Sequence, residues 1–176
     1  MLEGWHEFYG LLGTAAAALV ALLFVAASIG ASVLKNTPES ANNTRAFMSP
    51  VVFHYTNILF LSLIALIPTL SFEIFAAVVG IAAIASIIYS ILVTIWVHKN
   101  PLSEGADRFA YGAIPAGCYF AGLVASGFLF KQSVIGLDIL AGGALLLLVI
   151  NIRNAWDLTV FFAQRRNDGP PPDKTP

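Results

Sequence analysis

Apolar residues in this chain come in long unbroken runs, not in alternation. Leu11 to Leu34 is 24 residues without a charged side chain. As an α-helix a run of that length is about 36 Å long, against a hydrocarbon core of about 30 Å. Four further runs follow, and the pattern predicts spans over 10–34, 50–71, 74–97, 108–130 and 134–152. In hydrocarbon every backbone amide must find its partner within the protein, and none of the runs has the two-residue alternation of a barrel strand. The expected fold is therefore all-α, a transmembrane bundle of five helices forming a single domain over residues 1–168.

The intervening segments predict the connections. Lys35 to Pro50 is rich in Asn, Thr, Ser and Pro and reads as a loop, and His98 to Arg108 reads as a second one. Ser71 to Glu73 and Lys131 to Ser133 leave room only for tight antiparallel returns. The fifth helix meets no breaker until Gly169, which predicts a helical extension beyond the bilayer to about residue 166. Residues 169–176 carry four prolines and read as a disordered tail.

Charge then sets the expected orientation. Five spans put Lys35, Arg45, Lys99, Arg108, Arg153, Arg165, Arg166 and Lys174 on one side and Lys131 alone on the other. Basic loops stay in the cytoplasm, so the N-terminus is expected outside and the C-terminus inside. The segment before the first run carries Glu3 and Glu7 and no Lys or Arg, unlike the positive start of a cleaved signal, so the first helix is expected to be retained.

Composition narrows the function classes. With 58% hydrophobic and 11% charged residues the chain has no basic patch, and nucleic acid is not an expected ligand. One cysteine, Cys118, cannot form an internal disulfide or a paired redox site. His6 falls on the opposite side from His54 and His98, and no His-Glu-x-x-His run is present, so neither a metal nor another cofactor is expected. A His54–His98 pair remains geometrically possible.

The residues that could carry chemistry are polar groups inside the spans. His54, Thr56 and Asn57 open the second helix, with His54 and Asn57 on one face. Ser90, Thr94 and His98 form a four-residue stripe on the third, and Asn151, Arg153, Asn154 and Asp157 fall at the same depth on the fifth. Their convergence would make a polar cluster at the cytoplasmic end, able to bind a substrate, a lipid head group or a partner loop. The alternative is a hydrogen-bond network that fixes helix register, each bond contributing about 1 kcal/mol. Arg153 and Asp157, four apart, are expected to pair. Asp138 is the lone carboxylate in an apolar span; it reads either as an interfacial group favoured by the helix N-terminus or as a proton or ion site.

Small residues at four-residue spacing (Gly13, Ala17 and Ala21; Ala76 and Gly80; Gly117, Ala121 and Ala125) predict close helix contacts, within the bundle or between copies. Pro68 and Pro115 lie within spans two and four and are expected to kink them. Trp5, Trp96 and Trp156 fall at span ends, as an interfacial belt requires.

The segments Arg45-Ala-Phe-Met-Ser-Pro-Val-Val-Phe-His54 and Asn151-Ile-Arg-Asn-Ala-Trp-Asp157 resemble those of small multi-pass bacterial membrane proteins. The resemblance implies a bacterial plasma-membrane setting and supplies no reaction, ligand or catalytic residue. The expected role is accessory or scaffolding, exerted through helix contacts and the polar cluster on the lipid bilayer's own components, a membrane-protein partner or a second copy of the chain. A small transporter or channel component is the alternative, and a membrane-embedded enzyme a more distant one.

Overall fold

The computed structural model describes residues 2–33, 38–99 and 109–167. After a single 3₁₀ turn at Leu2–Trp5 come α1 (His6–Val33), α2 (Pro38–Ala65), α3 (Phe72–Lys99), α4 (Ile114–Phe130) and α5 (Ile135–Asn167), with a π-helical turn at Phe109–Ala113 leading into α4. No strand occurs among the described residues. Five helices are long and apolar enough to cross a membrane, over His6–Ser28, Met48–Ala65, Phe72–Trp96, Ala110–Phe130 and Ile135–Val160. The tail over 169–176 and the loop over 100–108 lie outside the described residues, as does the side chain of His98.

The helices alternate in direction, so the α2–α3 and α4–α5 turns share one end of the bundle, called the turn end here. Gln132 ties the two turns together, its Nε2 donating to Glu73 Oε1 at 3.2 Å. At the far end α2 begins and α5 ends. α1 packs on α2 and α5, α3 on α4, and α4 on α5, while α2 and α3 touch little despite being joined by a short turn.

Four expectations need correction. The segment from Pro38 to Pro50 is helix, not loop. Proline is favoured in a helix's first turn, where its missing N–H is not needed, and polarity alone does not break a helix that emerges from lipid. Pro68 kinks nothing: α2 has already ended at Ala65, and tight bonds from Leu66 N–H to the Leu63 carbonyl and from Ile67 N–H to the Ile64 carbonyl, both 3.2 Å, close its last turn.

Pro115 acts at the start of α4, just after the π turn. It removes the N–H that would bond the Tyr111 carbonyl in an α-helix or the Ala110 carbonyl in a π-helix. The small-residue stripes are also offset. Gly13 is buried with an added Cβ only 2.9 Å from Ser62 Cβ, but Ala17 and Ala21 face outward. On α4 Ala125 is buried as expected but Gly117 is exposed, and the buried face also takes in Cys118, Gly122 and Ser126. Ala76 and Gly80 are buried as expected, and Ser126 Oγ donates to the Ala76 carbonyl at 2.8 Å.

Candidate functional site

The gap between α2 and α3 is floored by α4 and α5 and encloses a cavity of about 70 Å³. A single water needs roughly 10–15 Å³ on such a measure, so the space is several waters in size. Its wall is apolar toward the turn end, where Ile64, Val79 and Leu140 line it. Toward the far end it closes on three polar side chains, Asn57 of α2, Ser86 of α3 and Tyr119 of α4. Phe60 and Leu61 at the mouth are partly exposed, so the crevice opens sideways, toward what would be lipid.

The polar end is a hydrogen-bonded chain crossing three helices. Asn57 Nδ2 donates to the Phe53 carbonyl at 3.0 Å, and Ser86 Oγ donates to Asn57 Oδ1 at 3.2 Å. The Tyr119 hydroxyl shares a hydrogen bond with His54 Nδ1 at 2.7 Å. Phe53 stacks on Tyr89 with ring centroids 3.9 Å apart, closing the α2–α3 contact on this side. Asn57, Ser86 and Tyr119 each lie near the middle of their spans, as does Leu147 opposite them on α5. The polar chain therefore sits at mid-depth in the bundle and not at its rim.

One helical turn further toward the far end lie His54, Ser90 and Asn151. The Asn57–Ser86 bond and the position of Leu147 fix the register, and His54, Ser90 and Asn151 are each three or four residues on, about 5 Å along their helices. All three are buried to within 1%. Each also has a polar atom without a hydrogen-bond partner among the described residues: His54 Nε2, Ser90 Oγ and Asn151 Oδ1. Asn151 Nδ2 is used on the Leu147 carbonyl at 2.8 Å. Buried polar atoms normally have partners, and each orphan costs about 1–3 kcal/mol.

Asn154 Oδ1 is likewise unpartnered among the described residues, but its other polar atoms have a structural role. The Ala110 carbonyl, deprived of a donor by Pro115, receives Asn154 Nδ2 at 3.1 Å, and the Tyr111 hydroxyl donates back to the Asn154 carbonyl at 3.2 Å. The pair locks the π turn to α5. Thr94 abuts that turn from the other side, where an added Cβ on Gly112 would come 3.0 Å from Thr94 Cβ. Its own hydroxyl donates to the Ser90 carbonyl at 2.7 Å.

The remaining candidates separate from this interior. Thr56 faces outward and returns its hydroxyl to the Val52 carbonyl at 2.8 Å. Arg153 and Asp157 pair at 3.6 Å on the exposed face of α5. Asp138 is exposed in the first turn of α5, at the turn end and away from the polar layer. Among the described residues no group of three or more His, Cys, Asp or Glu is placed to hold a metal.

Sequence reasoning missed Tyr119 and Ser86 as members of the site. The available signal was Tyr119 itself: a tyrosine in mid-span carries a hydroxyl that must find a partner when buried. Cys118, the lone thiol that the sequence excludes from disulfide or paired redox chemistry, lines the cavity. No family model, curated protein or solved structure matches the chain.

Proposed function

We propose that the chain is an accessory protein of a bacterial plasma membrane, N-terminus outside and C-terminus cytoplasmic, that binds a membrane-dissolved molecule in the α2–α3 crevice. The observation that carries this reading is the combination of a laterally open apolar cavity with a hydrogen-bonded floor drawn from α2, α3 and α4. Apolar walls with a few convergent polar groups are the usual composition of a small-molecule site. Binding and not scaffolding through the polar cluster is favoured because His54, Ser90, Asn151 and Asn154 are enclosed, leaving a partner loop only the outward-facing Thr56 and the Arg153–Asp157 pair. Partner helices would instead meet the apolar outer faces of the bundle.

The test is purification of the full chain from its native membrane in mild detergent, with mass spectrometry of retained small molecules and co-purifying proteins. An apolar molecule retained near one per chain is expected. It should be lost in Gly122→Leu, because a Cβ there makes ordinary contacts at 3.8 Å with Ala83 and 3.9 Å with Leu140, and a longer side chain extends into the cavity. A folded protein that retains nothing, or that retains the molecule equally well in Gly122→Leu, contradicts the reading.

The orphaned atoms of the layer beside the floor, His54 Nε2, Ser90 Oγ and Asn151 Oδ1, favour one second reading, a transporter component with a polar step inside the bundle. Flux into proteoliposomes that Asn57→Leu abolishes and Asp138→Asn leaves intact would support it. Absence of flux for any solute tried with the wild type would leave binding as the role.

A further inference from the structure

The depth of the polar floor narrows the ligand class of the crevice; this deepens the proposed binding role and rests on it. We infer that the occupant is a long apolar molecule ending in a small uncharged hydroxyl-bearing group, and that it is neither a phospholipid nor a fatty anion. Asn57, Ser86 and Tyr119 lie near the centre of their spans. Half a hydrocarbon core is about 15 Å, so a phospholipid with its head at the interface would bring only the end of its tail to this floor. A polar ligand atom reaches mid-depth only in a molecule polar enough to bond there and apolar enough to live there.

Charge is excluded on the same ground. Among the described residues no Lys or Arg lines the cavity, and its polar lining is neutral amide, hydroxyl and phenol. A phosphate, sulfate or carboxylate would sit in hydrocarbon without a counter-ion, at a cost no hydrogen bond offsets. The orphaned atoms then choose between the remaining uncharged heads. Asn151 Oδ1 can only accept, the Ser90 hydroxyl can donate as well as accept, and the His54–Tyr119 pair holds one N–H or O–H beyond the bond it shares. Asn57 Oδ1 already takes the Ser86 proton. Unspent donors and acceptors thus lie together one turn beyond the floor, and a hydroxyl, which both donates and accepts, matches that mixed set directly or through one water. A ketone or ester head could only accept and would leave Asn151 Oδ1 unmatched. Long-chain alcohols and phenolic or hydroquinone lipids have the required chemistry.

The full chain in nanodiscs is the material for the test, with three photoactivatable sixteen-carbon probes ending in an alcohol, a sulfate or a methyl group. Cross-linked residues are mapped by mass spectrometry. The alcohol is expected to label the crevice about fivefold more than the methyl-ended chain, the ratio for one net hydrogen bond of about 1 kcal/mol. The sulfate should label less than either. Ser86→Ala and, independently, Asn57→Leu should reduce alcohol labelling to the level of the methyl-ended probe, whose retained labelling reports an intact fold. Alcohol and methyl-ended chains labelling the wild-type crevice equally would overturn the inference and leave the binding role standing. Sulfate labelling as strong as alcohol would overturn it as well. Failure of all three probes to label the crevice in folded wild type would remove the binding role and the inference together.

Discussion

The two hairpins of the bundle have similar connections and opposite interiors. α4 and α5 return through Lys131–Val134, with Gln132 in the left-handed region at φ 54°, and their helices press together at once. A Cβ on Gly136 would come 2.8 Å from Leu129 Cγ and 2.9 Å from the Ala125 carbonyl, and one on Gly143 would lie 3.4 Å from the Cys118 carbonyl. Glycines thus let backbone meet backbone along this seam, which is how helices gain dispersion contact where lipid offers no hydrophobic drive. α2 and α3 return through Leu66–Ser71 but then diverge, α3 leaning on α4 through Gly80 and Ser126 while α2 leans on α1 through Gly13 and Ser62. The crevice is the space left when each member of a hairpin takes its small-residue contact from a different neighbour. Adjacency in sequence decides which helices are near, and small residues decide which ones close.

Substitutions along the two seams should separate them. Gly136→Leu is expected to be the most damaging, because one of the atoms in its way is backbone and cannot rotate aside. Overpacking of this kind costs about 3 kcal/mol, read as loss of folded protein in a thermal or SDS unfolding series. Asn154→Leu should follow at about 2 kcal/mol by the same measurement, since it strands the Ala110 carbonyl that Pro115 has already left without a donor. Gly122→Ala, on the crevice wall, should shift stability by no more than about 0.5 kcal/mol, because its Cβ makes only ordinary contacts. Arg153→Ala should change least, within about 0.5 kcal/mol, as the 3.6 Å pair it breaks is half exposed on the outside of α5. Equal costs for Gly136→Leu and Gly122→Ala would erase the distinction between a closed seam and an open one.

The long apolar runs made the five spans legible, since a bilayer imposes length and charge rules that read directly along the chain. The Arg153–Asp157 pair and the continuation of α5 past the last span were legible for the same local reason, a four-residue spacing and the lack of a breaker. What could not be read was which faces meet. Gly13-Ala17-Ala21 obeys the small-residue spacing, yet of the three only Gly13 is buried, because the packed face of α1 runs through Tyr9, Leu12, Ala16 and Leu23 and leaves Ala17 and Ala21 outside it. The helical start at Pro38 was hidden by polar composition, which reports solvent and not backbone conformation.

For the polar candidates, residue type indicated interior groups but not depth. His54, Asn57, Ser90 and Asn151 come to neighbouring levels of one interior, whereas Thr56 and the Arg153–Asp157 pair face outward from the same helices. Tyr119 joins them from α4, a helix in which the sequence pointed only to Pro115, Cys118 and the small residues.

Cys118, the one cysteine of the chain, lines the crevice near the middle of its span and can report on it without any other substitution. A nitroxide attached there, with its relaxation measured against dissolved oxygen and against a water-soluble nickel chelate, tests most directly whether the crevice is a lipid-facing opening at mid-depth. Strong relaxation by oxygen and almost none by the chelate is the expected result. Strong relaxation by the chelate would mean a water-filled vestibule, and relaxation by neither would mean a sealed core; either would contradict the account.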